Sequence, residues 1–270
     1  MADLGVINNK KQMKKMKKKK KKQVGQDHVF PSSCSFSSGI KFLPNELLVE
    51  IFGKVASQSI VDLCKVKLSC KEFLNAAEND HVYQRASMEN FSLVPLPWFT
   101  EQKECWFLKR CRESGNLEIA YREGMVEYFS SGDVDRGLEK LKKAAMNGHD
   151  EGKYVYSMIL MCSDKERKQG LELFLTLNAS TCIRRCRKRV KYFVRSMWLN
   201  NIPMLNHHSF LCSSNTCQTS GKMMLNYNLN LSTKWWSSSD QDQWLRTISC
   251  HYCLADYELL LFSHIFQPHY

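Results

Sequence analysis

The chain has 270 residues, 43% hydrophobic and 11% aromatic, enough apolar material for a packed core in one large domain or two or three small ones. Its net charge of +12 suggests a nucleic-acid binder, yet residues 1–24 hold ten lysines against one acid, Asp3, and so account for +9 of it. The remainder is nearly balanced, and the basic character belongs to an arm and not to a face of a fold. No secretory leader follows Met1 and no run approaches the roughly 18 apolar residues of a membrane span. The twelve cysteines are therefore expected in a reducing compartment, as small buried hydrophobes or metal ligands.

Residues 1–40 are predicted to be a disordered arm. Lys10, Lys11, Lys14, Lys15, Lys17, Lys18, Lys19, Lys20, Lys21 and Lys22 repel one another, and the serine-rich stretch through Gly39 supplies nothing to pack. Such a run is expected to serve as a nuclear-localisation signal. A solvated tail making nonspecific phosphate contacts is the other reading.

Order is predicted from Phe42-Leu43-Pro44 onward. Pro44 suits a first helical turn and Glu46 the positive helix end. Leu47, Leu48, Ile51, Phe52 and Val55 share one helical face. A second helix is predicted from Ser59, with Asp62 three residues on. A third is predicted from Ser69, where Glu72 completes a capping-box pattern and Phe73, Leu74 and Ala77 form the apolar side. A short helix after Asp80 would bury Val82, Tyr83 and Ala86. Pro95, Pro97 and Trp98 then mark a linker or docking turn.

From about residue 101 the chain repeats itself at an offset of 33. Ser114-Gly115-Asn116 aligns with Asn147-Gly148-His149, Tyr121 with Tyr154, Gly137-Leu138 with Gly170-Leu171, and Leu141 with Phe174. Lys109-Arg110-Cys111 aligns with Lys142-Lys143-Ala144. Each unit reads as two helices with turns at Gly115-Asn116, Ser131-Gly132-Asp133 or Gly148-His149. One such unit cannot bury its own face, so neighbours are expected to stack into a short α-solenoid. A longer helix is predicted from Thr181 to about Leu199. Ile183, Cys186, Val190, Phe193, Val194 and Met197 face inward, and a basic stripe of Arg184, Arg185, Arg187, Lys188, Arg189 and Lys191 is expected on its wet side.

Residues 201–270 read as an irregular tail, closed by Cys250-His251-Tyr252-Cys253 and the apolar run from Tyr257 to Phe262. Cys212 and Cys217 are separated by four residues, Cys250 and Cys253 by two. Two such knuckles could give four thiolates to one tetrahedral, structural zinc. His207, His208 and His251 offer alternative ligands, and a set of plain buried thiols is the other reading.

The segment 41–91 resembles the F-box. Leu43-Pro44, Glu46-Leu47-Leu48, Ile51, Val55, Leu63, Val66, Cys70-Lys71 and Phe73 carry the likeness. Phe73 stands where the family commonly has Trp, and Lys67-Leu68-Ser69 alters the spacing before Cys70. The resemblance implies a three-helix module that docks on a Skp-family adaptor of a cullin ubiquitin ligase. The implied contacts are Leu43, Pro44, Leu47, Leu48, Ile51, Val55, Leu63, Val66, Cys70, Lys71 and Phe73. Residues 101–200 resemble Sel-like repeats, relatives of tetratricopeptide repeats, through Ala120-Tyr121, Gly124, Leu141, Lys143-Ala144-Ala145 and Gly148-His149, with Ser157 at the Gly124 equivalent. The combination resembles a plant F-box group and implies a protein-binding scaffold.

No Walker-type glycine loop, Gly-x-Ser-x-Gly or His-Glu-x-x-His occurs, so no catalytic residue is assigned and an enzyme is not expected. The expectation is an all-α chain: arm, F-box, helical repeats, cysteine-bearing tail. Its expected partners are a Skp-family adaptor with its cullin ligase and an unidentified protein substrate. No membrane is expected, nucleic acid enters only as a nonspecific contact of the arm, and the nucleus is the expected location. The alternative is a nuclear nucleic-acid-binding protein using the lysine arm and a zinc knuckle.

Overall fold

The computed structural model describes residues 43–94, 106–177, 180–202, 210–212, 217 and 248–266. The lysine arm, the Pro95-Pro97-Trp98 linker, His207, His208 and most of 203–247 lie outside the described residues. Pro44–Tyr270 forms one compact unit. The described secondary structure is entirely helical.

The first module is built from α1 (Asn45–Gln58), α2 (Ile60–Lys67), α3 (Lys71–Ala77) and α4 (Asp80–Arg85). Ser59 caps α2 as its spacing predicts, its Oγ accepting from the Asp62 N–H at 3.1 Å. The third helix starts at Lys71 and not at Ser69. The Ser69 hydroxyl donates back to the Lys65 carbonyl, finishing α2, and Cys70 becomes the extended N-cap of a helix that starts two residues later. The later start also shifts the inner face of α3: Ala76 and Ala77 are buried and Leu74 is exposed. Phe73 lies edge-on to Phe52 of α1, centroids 5.2 Å apart. Val82, Tyr83 and Ala86 close the module's core as expected.

The repeats follow as α5 (Trp106–Glu113), α6 (Leu117–Val126), α7 (Val134–Met146), α8 (Asp150–Cys162), α9 (Arg167–Leu175) and α10 (Ser180–Val194). A π-helical turn, Glu127–Ser131, extends α6. The 33-residue offset is visible in three dimensions. Gly115 and Gly148 both turn with φ near +90°, at +84° and +92°. Asn116 and His149 then cap α6 and α8. Tyr121 and Tyr154 are both buried. Gly137 permits α7 to lie against Tyr128, and Gly170 permits α9 to lie against Met161, again 33 residues on. Ser157, at the Gly124 equivalent, is tolerated because its hydroxyl is satisfied by the Tyr154 carbonyl at 2.8 Å.

The last helix, α11 (His251–Ile265), is an ordered element within the segment read as an irregular tail. Its Ala255, Leu259, Phe262 and Ile265 join the core formed by α6 to α10.

Candidate functional site

Two faces of α1 do different work. Leu48, Val49, Phe52, Gly53 and Ala56 fill the module's interior. Leu47 and Ile51, one turn apart, are 50% and 46% exposed. Sequence periodicity joined Leu47, Leu48, Ile51, Phe52 and Val55 into one stripe; the structure turns Leu48 and Phe52 inward and Leu47 and Ile51 outward, and leaves Val55 half-buried. Among the described residues, five of the thirteen exposed large apolar side chains, Leu47, Ile51, Val61, Leu68 and Leu74, fall within residues 47–74. Of the other residues with implied adaptor contacts, Pro44 and Lys71 are exposed, and Leu43, Val55, Val66, Cys70 and Phe73 are half-buried. Leu48 and Leu63 are inside, holding the module's own core.

Polar bonds that no sequence pattern announces join the module to the repeats. Asn116 is 3% exposed and uses both ends of its amide. Its Oδ1 accepts from the Glu118 and Ile119 N–H groups, and its Nδ2 donates to the Tyr83 and Ala86 carbonyls at 2.9 and 3.0 Å. The Arg122 guanidinium donates to the carbonyls of Met88, Phe91 and Ser92, while Glu118 holds its Nε. Arg110 reaches Asp80 at 2.7 Å. Around these bonds Tyr83, Phe91, Trp106 and Phe107 pack ring against ring.

The basic stripe expected on the wet face of α10 requires correction. Arg187 is buried. It grips Glu258 of α11 with two bonds, Nη2 to Oε1 at 2.5 Å and Nε to Oε2 at 3.1 Å, and the Tyr154 hydroxyl donates to the same carboxylate at 3.2 Å. Burial opposes the charge on Arg187, but Glu258 more than offsets it and holds its pKa above the ordinary value. The signal was present: Tyr121, Tyr154 and Arg187 succeed one another at the repeat's offset, so Arg187 occupies an inward position. A lone Glu258 within an apolar run is its natural counterpart. Arg189 and Arg185 are likewise engaged, with Glu151 and Glu118 and with Asp150 respectively.

The four tail cysteines converge. The Sγ atoms of Cys212, Cys217, Cys250 and Cys253 lie within 4.8 Å of one another, so that the cluster could bind a metal. Cys250 caps α11 and Cys253 lies in its first turn. The Asp256 carboxylate accepts from the N–H groups of Leu211 and Cys212 at 2.8 and 3.1 Å and so fixes the Cys212 side of the cluster. Tyr257 and Leu261 pack around it. Of the histidines considered as alternatives, His251 is not part of the described cluster, and His207 and His208 lie outside the described residues.

Comparison with known proteins bears on both halves of this chain. Residues 40–89 match the family described as F-box-like, and residues 90–195 match plant tetratrico peptide repeats. The chain is similar to three proteins of Arabidopsis thaliana. F-box protein At1g67623 is 36% identical over 48% of this chain and 43% of its own length. F-box protein At2g35280 is 30% identical over 46% of this chain and 75% of its own length. F-box protein At1g67340 is 26% identical over 53% of this chain and 39% of its own length. The chain thus spans less than half the length of the first and third of these relatives. No solved structure matches it.

Proposed function

The chain belongs to the plant F-box proteins with tetratricopeptide-type repeats, and on that premise we propose that it is a non-catalytic substrate adaptor of a Skp–cullin–F-box ubiquitin ligase. The observation that carries this reading is the outward pair Leu47 and Ile51 on α1, within the segment that matches the F-box-like family. A module of some 45 residues has little interior of its own, so an apolar partner surface completes it. The mechanism is proximity. The F-box holds the ligase, the repeats hold a target, and the target's lysines gain effective concentration near the charged ubiquitin. Among the described residues no helix is long and apolar enough to cross a membrane. The lysine arm, Lys10 to Lys22, directs nuclear import in this reading, and deleting residues 1–24 is expected to remove nuclear accumulation of a fluorescent fusion while leaving adaptor binding intact.

The tail cluster is proposed to hold one structural zinc through Cys212, Cys217, Cys250 and Cys253. The Sγ separations of 3.9 Å between Cys212 and Cys250 and 3.5 Å between Cys217 and Cys253 suit such an ion. Zinc–sulfur bonds of ~2.3 Å in a tetrahedron put sulfurs about 3.8 Å apart. Four protein ligands leave no open position, so the ion would supply cross-linking and no catalysis. Elemental analysis checks it: one zinc per chain is expected, lost on replacing Cys250 and Cys253 with Ser.

The test of the adaptor reading is capture of a purified Skp-family adaptor by the full chain and by two variants, Leu47→Asp/Ile51→Asp and Leu43→Ala/Pro44→Ala. Capture by the parent and loss in both variants, with helix content nearly unchanged by circular dichroism, is expected. Undiminished capture by both variants would sink the assignment.

A further inference from the structure

A pocket of about 390 Å³ opens on the repeats, lined by Leu93, Tyr121, Lys188, Arg189, Tyr192 and Phe193. Its volume is in the range of binding pockets and not of packing defects. Three features distinguish it. Tyr121 is 1% exposed, and its hydroxyl has no hydrogen-bond partner among the described residues. A buried hydroxyl without a partner is costly, and its presence asks for an acceptor. Burial, then the charges of Glu118 and Glu151, push the Tyr121 pKa well above the ordinary value, so the group offers a proton and does not lose it.

The second feature is charge. Lys188 is exposed and has no ion-pair partner among the described residues. Arg189 stands beside it, already engaged with Glu151 at 2.9 Å and Glu118 at 3.2 Å. Arg195 continues the exposed positive rim two turns on from Lys188. The third feature is apolar surface. Phe193 lies edge-on to Tyr121 at 5.8 Å, Leu93 adds an aliphatic wall, and the Tyr192 ring is 67% exposed at the mouth.

We propose that this pocket is the target-recognition site, taking a peptide segment in which an acidic side chain stands next to an aliphatic one. The carboxylate is read by Lys188 and the Tyr121 hydroxyl, and the aliphatic side chain rests on Phe193 and Leu93. A nucleic-acid strand is disfavoured by the same geometry. Its repeating phosphates need several free cations, whereas among the lining residues Arg189 is already engaged by Glu118 and Glu151 and Lys188 alone is left to meet a single carboxylate. The inference deepens the adaptor reading and rests on it for its biological sense, but its chemistry can be tested separately.

The experiment is fluorescence anisotropy on the full chain. The probe is a fluorescein-labelled oligoglutamate peptide with one central leucine. The competitors are its glutamine counterpart and a single-stranded RNA oligonucleotide. Lys188→Glu is expected to weaken binding by about tenfold or more through charge reversal. Tyr121→Phe removes only the hydroxyl and is expected to weaken binding by about tenfold. Its thermal unfolding should be unchanged or raised, because an unsatisfied buried group has gone. Equal affinity for the glutamine peptide, an RNA affinity that falls as steeply as the peptide's in Lys188→Glu, no measurable peptide binding, or full peptide affinity in Tyr121→Phe would each overturn the proposal. Skp-adaptor capture measured on the same preparations keeps the two ideas apart. Capture without peptide binding defeats the pocket alone, and peptide binding without capture defeats the ligase reading alone.

Discussion

Single residues in this protein act through their neighbours' inability to move. Arg187 and Glu258 form an ion pair with side chains 10% and 0% exposed. Replacing Arg187 with Met leaves a carboxylate stranded in the core. Urea unfolding is expected to show a loss of about 3–5 kcal/mol, much of which the double variant Arg187→Met/Glu258→Met recovers. Gly137 and Gly115 contrast in the same way. A methyl group on Gly137 would stand 2.4 Å from the Tyr128 nitrogen, against backbone that cannot yield. Gly137→Ala is expected to cost about 3 kcal/mol, near the upper end of overpacking costs. Gly115→Ala meets open space and pays only for its left-handed turn, about 1 kcal/mol.

Glu118 gives the residue scale a pH dependence. Burial raises its pKa, but the His149 hydrogen bond and the charges of Arg122 and Arg189 overcome that and hold it at about 2, against an ordinary 4.5. A folded-state value below the unfolded one means stability that is fully present above about pH 4.5 and lost as pH falls toward 2. Glu118→Gln is expected to lower stability at pH 7 by at most about 3 kcal/mol and to flatten the acid limb of the unfolding curve between those values. Thermal melts across that range check it.

Among the elements, α1 was legible as a helix and not as a two-sided one. The spacing of Leu47, Leu48, Ile51 and Phe52 announces apolar character, but only packing against α2, α3 and α4 decides which pair turns outward. The repeat was legible because glycine turns and small crossing residues recur at a fixed offset, and sequence carries that signal directly. The start of α3 was not, because the Ser69 side chain had two satisfying partners and the alternative within α2 prevailed. In α11 a helical period was masked by nearly continuous apolar residues, which serve a fully buried helix and a strand equally well. The cysteine convergence could be suspected from two knuckles, but the Asp256 bonds that orient one of them are tertiary. If the cluster holds zinc, a chelator should make four further thiols react with a thiol reagent. Most α11 helicity should survive, because Arg187, Phe262 and Ile265 anchor it independently of the cysteines.

For the whole described unit, the matched families end near residue 195, but the packing does not. The core of the repeats is completed by α11, and the F-box is bonded to the first repeat by Asn116, Arg110 and Arg122. The F-box joint could not be read from sequence, since it depends on backbone carbonyls, and for α11 the only trace in sequence was the repeat register of Arg187 and the lone Glu258. The F-box joint has a testable consequence. Asn116→Ala removes the cap of α6 and two bonds across the joint together. The expected result is faster proteolytic cleavage around residues 86–94 with little change in helix content.

The separation between Arg187 and Glu258 is 71 residues. At a synthesis rate of roughly 5–20 residues per second, Arg187 is made roughly 4–14 s before its partner. For that interval the growing repeats hold an unmatched cation and the open apolar edge that α11 will later cover. An arginine is well suited to such a wait, since its charge keeps the unfinished surface hydrated and less inclined to stick to other chains. The arginine that latches the finished core is thus also a guard on the nascent one, and its replacement should appear first as aggregation during expression.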